Sequence, residues 1–317
     1  MPRKETDVTD GGQVLAFDIG GSHATVGMVN RETLAIRYMN SCALDSHGAA
    51  DSILRDICSL GEGALAQARL SGLSAAGLAF AVPGPFDYDR GISLLRHKLA
   101  SLYELNLRRV FEQSFGIAGE NIVFLNDAQA FLLGECHAGA AKGVSRCIGL
   151  TLGTGVGSAF AINGAIVGCG TGVPPGGEIY GLPWEGRTVE DTLSTRAIQE
   201  RYWQLAGEME SVLEICTAAP TDHNAALVMS EFGRNLGAVV KDICMPFRPE
   251  AIVLGGAISR SAALFVPSAG VSLGDDSVHL LRVSTLFDDA LLVGAALRFL
   301  EAGSSIGHGR TLTRCGM

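Results

Sequence analysis

The residues best suited to chemistry in this chain are two short trios, Gly20-Gly21-Ser22 and Gly153-Thr154-Gly155, each lying between two apolar runs of strand character. The first sits in Val14-Leu-Ala-Phe-Asp18-Ile-Gly20-Gly21-Ser22, and the second in Ile148-Gly-Leu-Thr151-Leu-Gly153-Thr154-Gly155, an altered echo 133 positions later that aligns without a gap. Each copy continues into a second strand-like run and closes on an asparagine, Asn30 or Asn163. Glycines at such a tip let the backbone turn with positive φ and bring its N–H groups close to an anion. Two tips of this kind can clamp one polyphosphate from opposite sides. The plain alternative is an ordinary tight hairpin, and duplication of the tip weighs against it.

Carboxylates stand beside these tips. Asp18 ends the first strand-like run, a position suited to hold Mg²⁺ through water, because that ion keeps much of its hydration shell and takes few carboxylates. The alternative is an aspartate that bonds the amides of its own loop. Asn126-Asp127 follow the strand-like run 121–125 and open a helix. The positive end of a helix favours a carboxylate in its first turn, so Asp127 is expected to be ionised at neutral pH, and either residue also suits a helix cap.

Positioning these groups requires an alternation of strands and helices. A hairpin is expected over 14–29, a third strand around 35–42 and a helix over 49–70, whose Ile53, Ile57, Leu60, Ala64, Leu65 and Ala68 recur at helical spacing. The apolar strand 77–82 is ended by Pro83-Gly84-Pro85, which forbids further pairing. Helices are expected near 105–115 and from Asn126 to about 139. The second half begins with the echoed hairpin and passes through a Gly/Pro-rich loop, 168–187. It resumes helices near 189–205 and 223–244, then a strand, 251–254, that ends at Gly255-Gly256. A helix, a last strand over 282–286 and a closing helix from 289 follow. This alternation indicates α/β layers with mixed sheets.

Composition sets the bounds. The 317 residues suffice for two domains, and 47% hydrophobic with 18% charged residues supplies buried cores. A net charge of −9 without any Lys/Arg run argues against nucleic acid as a partner. The N-terminal residues lack the apolar core of a signal peptide, and no uninterrupted apolar run could span a bilayer, so a cytoplasmic protein with no membrane partner is expected. The eight cysteines form no C-x-x-C pair and are expected to be reduced.

Six motifs fall in an order that resembles the ROK family of sugar kinases and sugar-responsive repressors. They are Asp18-Ile-Gly-Gly-Ser22, Ala81-Val-Pro-Gly-Pro-Phe-Asp87, Asn126-Asp-Ala-Gln-Ala130 with Gly134-Glu135, Gly153-Thr-Gly-Val-Gly157, Gly177-Glu178-Ile179 and Val253-Leu-Gly-Gly256. The resemblance covers roughly 14–300 and implies an α/β, duplicated actin-like (ribonuclease H-like) ATPase fold, two lobes with mixed sheets flanked by helices. The expected N-terminal lobe is 1–125, completed by the C-terminal helix 289–301; the C-terminal, nucleotide-side lobe is 126–288; a flexible tail is 302–317. The resemblance further implies ATP-dependent phosphorylation of a hexose, glucose or a close relative, at the 6-hydroxyl. Asp127 would be the general base, and Asn126, Glu178 and, by a looser match, Glu190 would hold sugar hydroxyls. Gly84 would let the sugar approach the backbone. Gly20, Gly21, Ser22, Gly153, Thr154 and Gly155 would line the nucleotide phosphates, Gly255 and Gly256 would approach the nucleoside, and a homodimer is expected.

The chain departs from that pattern in three places. The family's cysteine cluster before the last glutamate is replaced by Leu182-Pro-Trp-Glu-Gly-Arg-Thr-Val-Glu190, so no structural zinc site is expected. Gly181 stands where a histidine is usual, and His23 where a lysine often follows the tip. Sugar identity therefore stays open among glucose, fructose, mannose, allose and N-acetylated amino sugars. Trp184 either stacks on a sugar face or fills the core of its loop. Polyphosphate is a second possible donor, less favoured because few cations flank the Thr151–Ala159 loop. The repressors of the family carry an N-terminal winged-helix module, and the residues before Val14 are too few to form one.

Overall fold

A computed structural model describes residues 12–305. The first sheet is built from β1 (Gln13–Ile19), β2 (His23–Asn30), β3 (Ile36–Ala43), β4 (Ala75–Val82) and β5 (Ile122–Asn126), in the order β3-β2-β1-β4-β5. The second holds β6 (Arg146–Leu152), β7 (Val156–Ile162), β8 (Ala165–Ile166), β9 (Ala251–Gly255) and β10 (Leu281–Val283), in the order β8-β7-β6-β9-β10. Strand for strand the two orders match. In each, three antiparallel strands are followed by two parallel ones.

Burial explains which runs became central. All seven residues of β1 are buried, the near-continuous apolar pattern of a strand covered on both faces. β3 alternates half-buried and exposed residues, as befits a sheet edge. Helix α1 (Ala50–Leu70) buries Ile53, Ile57, Ala64, Leu65 and Ala68 along one face. Beneath β1 and β4, Phe80 stacks on Phe17 at 4.5 Å, on Phe111 at 4.3 Å and on Phe124 at 5.1 Å between ring centroids. Phe111 comes from α2 (Leu107–Phe115), whose N-cap Asn106 accepts the Arg109 amide.

The chain divides into two compact units. One runs up to Ala130 and takes in the C-terminal segment from Leu291; the other is Phe131–Ala290. Both passages between units fall inside helices, α3 (Asp127–Ala138) and α9 (Asp289–Ser305). Within the first unit, a Cβ on Gly294 would lie 1.8 Å from the Ala130 carbonyl oxygen, and one on Gly77 would lie 2.1 Å from the Phe299 ring. Only glycine permits α9 to approach α3 and β4 so closely. The second unit has its own core, in which Phe160, Ile198, Phe232 and Phe265 are buried.

Several elements differ from expectation. The single helix expected over 189–205 is two, α4 (Val189–Leu193) and α5 (Thr195–Ala206), parted at Ser194 by an extended backbone (φ −105, ψ 169). Helix α6 (Val212–Ala218) was not anticipated; a reciprocal capping box between Ser211 and Glu214 starts it. α7 (His223–Val239) continues into a π turn over Val240–Cys244. After β9 the chain forms a 3₁₀ segment, Ala257–Leu264, before α8 (Val266–Leu273). α9 continues to Ser305, so residues 302–305, expected in the tail, are helical; the rest of that expected tail, 306–317, lies outside the described residues. Six cysteines, among them Cys136 and Cys244, are free thiols, whereas Cys169 is disulfide-bonded, contrary to the expectation of reduced thiols throughout. No described helix is long and apolar enough to cross a membrane.

Because Phe80 is fully buried and touches three rings, Phe80→Ala is expected to destabilise the fold by about 3–5 kcal/mol. The check is a lowered denaturant midpoint at unchanged slope.

Candidate active site

Register brings the candidate residues of the first unit to one edge. Asp18 on β1 pairs with Ala81 on β4, Ala81 with Leu125 on β5, and Val82 with Asn126. The carboxyl ends of three parallel-paired strands therefore release Asp18, the 83–85 turn and Asn126-Asp127 together, which is where open α/β sheets place their ligands. Asn126 is the cap of α3: its Oδ1 accepts the Ala128 amide at 3.0 Å and the Gln129 amide at 3.3 Å. Its Nδ2 donates to the Tyr88 hydroxyl at 3.3 Å. A Cβ on Gly84 would sit 3.5 Å from that hydroxyl and 3.9 Å from Asn126 Nδ2. Gly84, Tyr88 and Asn126 thus share one surface. Tyr88 was not singled out from the sequence; it lies on no periodic element and only the fold brings it there.

Asp127 follows as the first residue of α3, half-buried, with Oδ1 accepting the Ala128 amide at 2.8 Å. Its carboxyl is pushed up to about 6, chiefly by burial; the Ala128 bond opposes the shift, the Asp18 carboxylate adds to it and Lys98 opposes it. The macrodipole alone favours ionisation. Desolvation outweighs it here, so the group titrates just below neutrality instead of lying far into its ionised range.

The tip of the first hairpin is covered by two side chains, His23 and Lys98. His23 Nε2 lies 3.7 Å from Asp18 Oδ2, and a Cβ on Gly20 would come 3.0 Å from His23 Cε1. A Cβ on Gly21 would lie 2.7 Å from Lys98 Cδ. Ser22 is exposed at the tip, and its carbonyl accepts the Leu44 amide at 2.8 Å. Lys98, like Tyr88, was not among the expected residues.

In the second unit, no atom lies within 4 Å of where a Gly153 Cβ would be, and Thr154 is exposed. Gly155 is different: a Cβ there would fall 2.5 Å from Glu190 Oε2, and that oxygen accepts the Val156 amide at 3.0 Å. Glu190 therefore lies on the second glycine tip. Glu178 is exposed, yet its backbone is fixed on both sides by buried Ser158, whose Oγ donates to the Gly177 carbonyl at 2.7 Å and accepts the Ile179 amide at 3.0 Å. Partial burial raises the Glu178 carboxyl above its ordinary value. Gly176 and Gly177 (φ 70 and 75) make the left-handed turn that delivers it. Gly255 and Gly256 are required by the protein itself: a Cβ would lie 2.4 Å from the Phe131 ring at the first and 2.4 Å from the Leu152 carbonyl oxygen at the second.

Among the described residues no group of three or more His, Cys, Asp or Glu side chains could hold a metal ion on its own. Buried Asp18 still suits Mg²⁺, a hard cation content with one carboxylate, water and a ligand's phosphate oxygens.

Two sheets of matching order, each opening on a glycine-tipped hairpin, define a duplicated ribonuclease H-like fold of the actin-like ATPase class. The sequence model of the ROK family matches residues 14–299, and the chain belongs to that family. A glucokinase of Thermotoga maritima is 24% identical over 316 residues, covering 90% of this chain and 96% of its own. A beta-glucoside kinase of Klebsiella pneumoniae is 26% identical over 302 residues, with 90% and 96% covered. Among solved structures, a ROK family glucokinase from Streptomyces griseus in complex with glucose and AMPPNP superposes with a TM-score of 0.74 at 24% identity, covering 90% of this chain and 99% of its own.

Asp127 carries a stability signature with a definite sign. Its pKa is higher in the folded chain than the ordinary 3.8, so the folded state holds the proton more tightly and loses stability as pH rises from about 4 to about 6. Asp127→Asn removes that cost, and the variant is expected to be more stable than wild type at pH 8, by at most about 3 kcal/mol, and so to melt higher, with the gap closing near pH 4. Melting curves at the two pH values check this; equal gaps at both would contradict it.

Proposed function

We propose that this ROK chain is an ATP-dependent sugar kinase that transfers the terminal phosphoryl group of ATP to a hexose, glucose or a close relative, at the 6-hydroxyl. The observation that carries the reading is Asp127, a half-buried carboxyl tuned to about 6 at the carboxyl edge of the first sheet, beside the glycine tip that follows Asp18. A general base works best when its pKa lies near the working pH, because it is then mostly ionised yet still basic enough to take a proton. The Ala128 amide holds one carboxyl oxygen and so sets the carboxyl's orientation.

In this reading the acceptor hydroxyl gives its proton to Asp127 as its oxygen bonds to the γ-phosphorus and the bond to the bridging oxygen of ADP breaks. Asn126, with Tyr88 behind it, and Gly84 face the sugar, and Glu178 accepts hydroxyl protons from adjacent carbons. Gly20, Gly21 and Ser22 in one unit, and Gly153, Thr154 and Gly155 in the other, line the phosphates: the Gly20 and Gly153 amides close their own tips on the His23 and Gly155 carbonyls at 2.9 and 3.1 Å, while the other four residues offer amides and the hydroxyls of Ser22 and Thr154. Gly255 and Gly256 keep the path to the nucleoside low. Glu190, bonded to the Val156 amide, orders the second tip as well as facing substrate. Asp18 is the residue that would hold Mg²⁺, through water, and the ion when bound gathers phosphate oxygens and offsets their charge.

The kinship with both a glucokinase and a beta-glucoside kinase, and Gly181 in place of the usual histidine, keep the acceptor wider than glucose. The first test is therefore a coupled ADP-release assay over glucose, fructose, mannose, allose, N-acetylated amino sugars and β-glucosides, repeated with polyphosphate as donor and sugar phosphate as readout. Asp127→Asn is expected to lower turnover by about 10²–10⁴-fold while equilibrium sugar affinity holds, because the amide keeps the shape but cannot take the proton. Undiminished turnover would remove Asp127 from the mechanism. The reading includes no zinc: activity is expected to survive a zinc chelator once Mg²⁺ is restored, and stoichiometric zinc tied to activity in metal analysis of the purified protein would overturn that part. The homodimer belongs to the same reading and is checked by sedimentation velocity.

A further inference from the structure

Phosphoryl transfer spreads negative charge over the γ-phosphate oxygens, and kinases of every fold meet it with fixed positive charge. At the first glycine tip of this chain the residue after Ser22 is a histidine, a residue type charged only when protonated, and it lies 3.7 Å from the Asp18 carboxylate. A permanent cation nevertheless reaches the tip from another part of the chain. The stem of Lys98 lies on Gly21, with Cδ, Cγ and Cε at 2.7, 3.4 and 3.5 Å from the position a Cβ would take. A Cβ at position 21 would compete with the lysine stem for the same space.

The placement of this side chain is built in. Leu99, next in sequence, has left-handed backbone (φ 52) and is fully buried, which anchors the segment from below while Lys98 stays exposed. The Leu99 amide donates to the Ser46 carbonyl at 3.2 Å, Ser101 Oγ donates to the Gly48 carbonyl at 2.8 Å, and the Leu44 amide donates to the Ser22 carbonyl at 2.8 Å. One short segment, 44–48, therefore ties the Lys98 turn to the tip itself. No salt bridge among the described residues engages Lys98. The charges that bear on the same spot are the carboxylates of Asp18 and Asp127 and the ring of His23.

We propose that Lys98 supplies the permanent positive charge of the phosphate site, its ammonium group meeting an oxygen of the donor's terminal phosphate as the phosphoryl group transfers. This rests on the reading of the chain as a kinase. The step moves no proton or electron pair through Lys98: the proton passes from the sugar hydroxyl to Asp127, and the lysine stabilises charge as the phosphorus–oxygen bonds exchange. A second consequence follows from its reach to Asp127. Lys98 holds down the pKa of that carboxyl, so its removal is expected to move the acid limb of the rate profile to higher pH.

The test compares wild type, Lys98→Met and Lys98→Arg at saturating sugar. Lys98→Met is expected to lower kcat by about 10²-fold, with sugar affinity by calorimetry within about twofold of wild type and an unchanged melting temperature; Lys98→Arg is expected to keep most of the activity. Unchanged turnover in Lys98→Met, or a loss confined to sugar affinity, would overturn the proposal. ADP and tripolyphosphate are titrated into wild type and Lys98→Met in parallel, and about tenfold weaker binding to the variant is expected. Should wild type phosphorylate nothing in the panel, the kinase reading fails on its own account, while equal affinity of both proteins for the two anions would still sink the role of Lys98.

Discussion

A carboxyl group that titrates near neutrality at the carboxyl edge of a sheet is the constraint around which the first unit is arranged. Asp127 loses hydration on entering α3, and a second carboxylate, Asp18, lies within electrostatic reach. Both push it toward the neutral acid. Hydrogen bonds to the backbone at Ala128 and at Asp127 itself, and the charge of Lys98, push back, and the balance falls at about 6. A group deeper in the sheet would stay protonated, and one on an outer helix face would keep its ordinary value and be a feeble base. The carboxyl ends of β1, β4 and β5 are where a side chain can rest on an apolar layer and still meet water. The stacked rings of Phe17, Phe80, Phe111 and Phe124 hold those strand ends in register from below.

Duplication supplied two such edges, and side chains have made them unlike. The first tip is overlaid by His23 and Lys98, the second by Glu190. At Gly21 the space of a missing Cβ is filled by a cation's stem, and at Gly155 by a carboxylate that takes the Val156 amide for itself. Gly153 alone of these tip glycines faces open space. The same backbone device thus carries a lysine stem at one copy and a carboxylate-bound amide at the other, so the two tips differ in charge.

Much of the framework was legible in the sequence because its signals are local. Apolar runs ending in small residues marked both hairpins, and helical spacing marked the buried face of α1. The capping pair Ser211 and Glu214 is equally local, a start signal for α6 written in the sequence itself. The break at Ser194 was harder, since apolar spacing runs on through 189–205 and only the extended backbone at one residue divides it. Tyr88 and Lys98 were out of reach for a different reason. Tyr88 matters through its bond to Asn126, thirty-eight positions away, and Lys98 through a contact with Gly21 set by strand register and by the φ of Leu99. The ionisation of Asp127 shows the same limit: the helix start is visible in the text, but the burial that outweighs it belongs to the assembled sheet.

The loop that carries Glu178 shows how hydrogen bonds can order a segment in which relatives of the family place a cysteine cluster. Along its length the Val167 amide donates to the Phe160 carbonyl, the Gly176 amide to Gly168, the Val189 amide to Leu182 and the Glu190 amide to Tyr180, all at 2.9–3.0 Å. Pro183-Trp184 and Arg187-Thr188 close a small hairpin, and Ser158 clasps the backbone on either side of the glutamate. Each of these bonds uses a backbone group or a buried hydroxyl that any fold must satisfy in some way. Trp184, half-buried, packs against the core of the second unit, which accounts for it without a sugar. Gly181, where the usual histidine would stand, has no neighbour within 4 Å of a Cβ, so steric crowding does not explain the loss of that side chain. The difference then falls on the chemistry of the loop surface: beside Glu178 there is one donor and acceptor fewer and more open space.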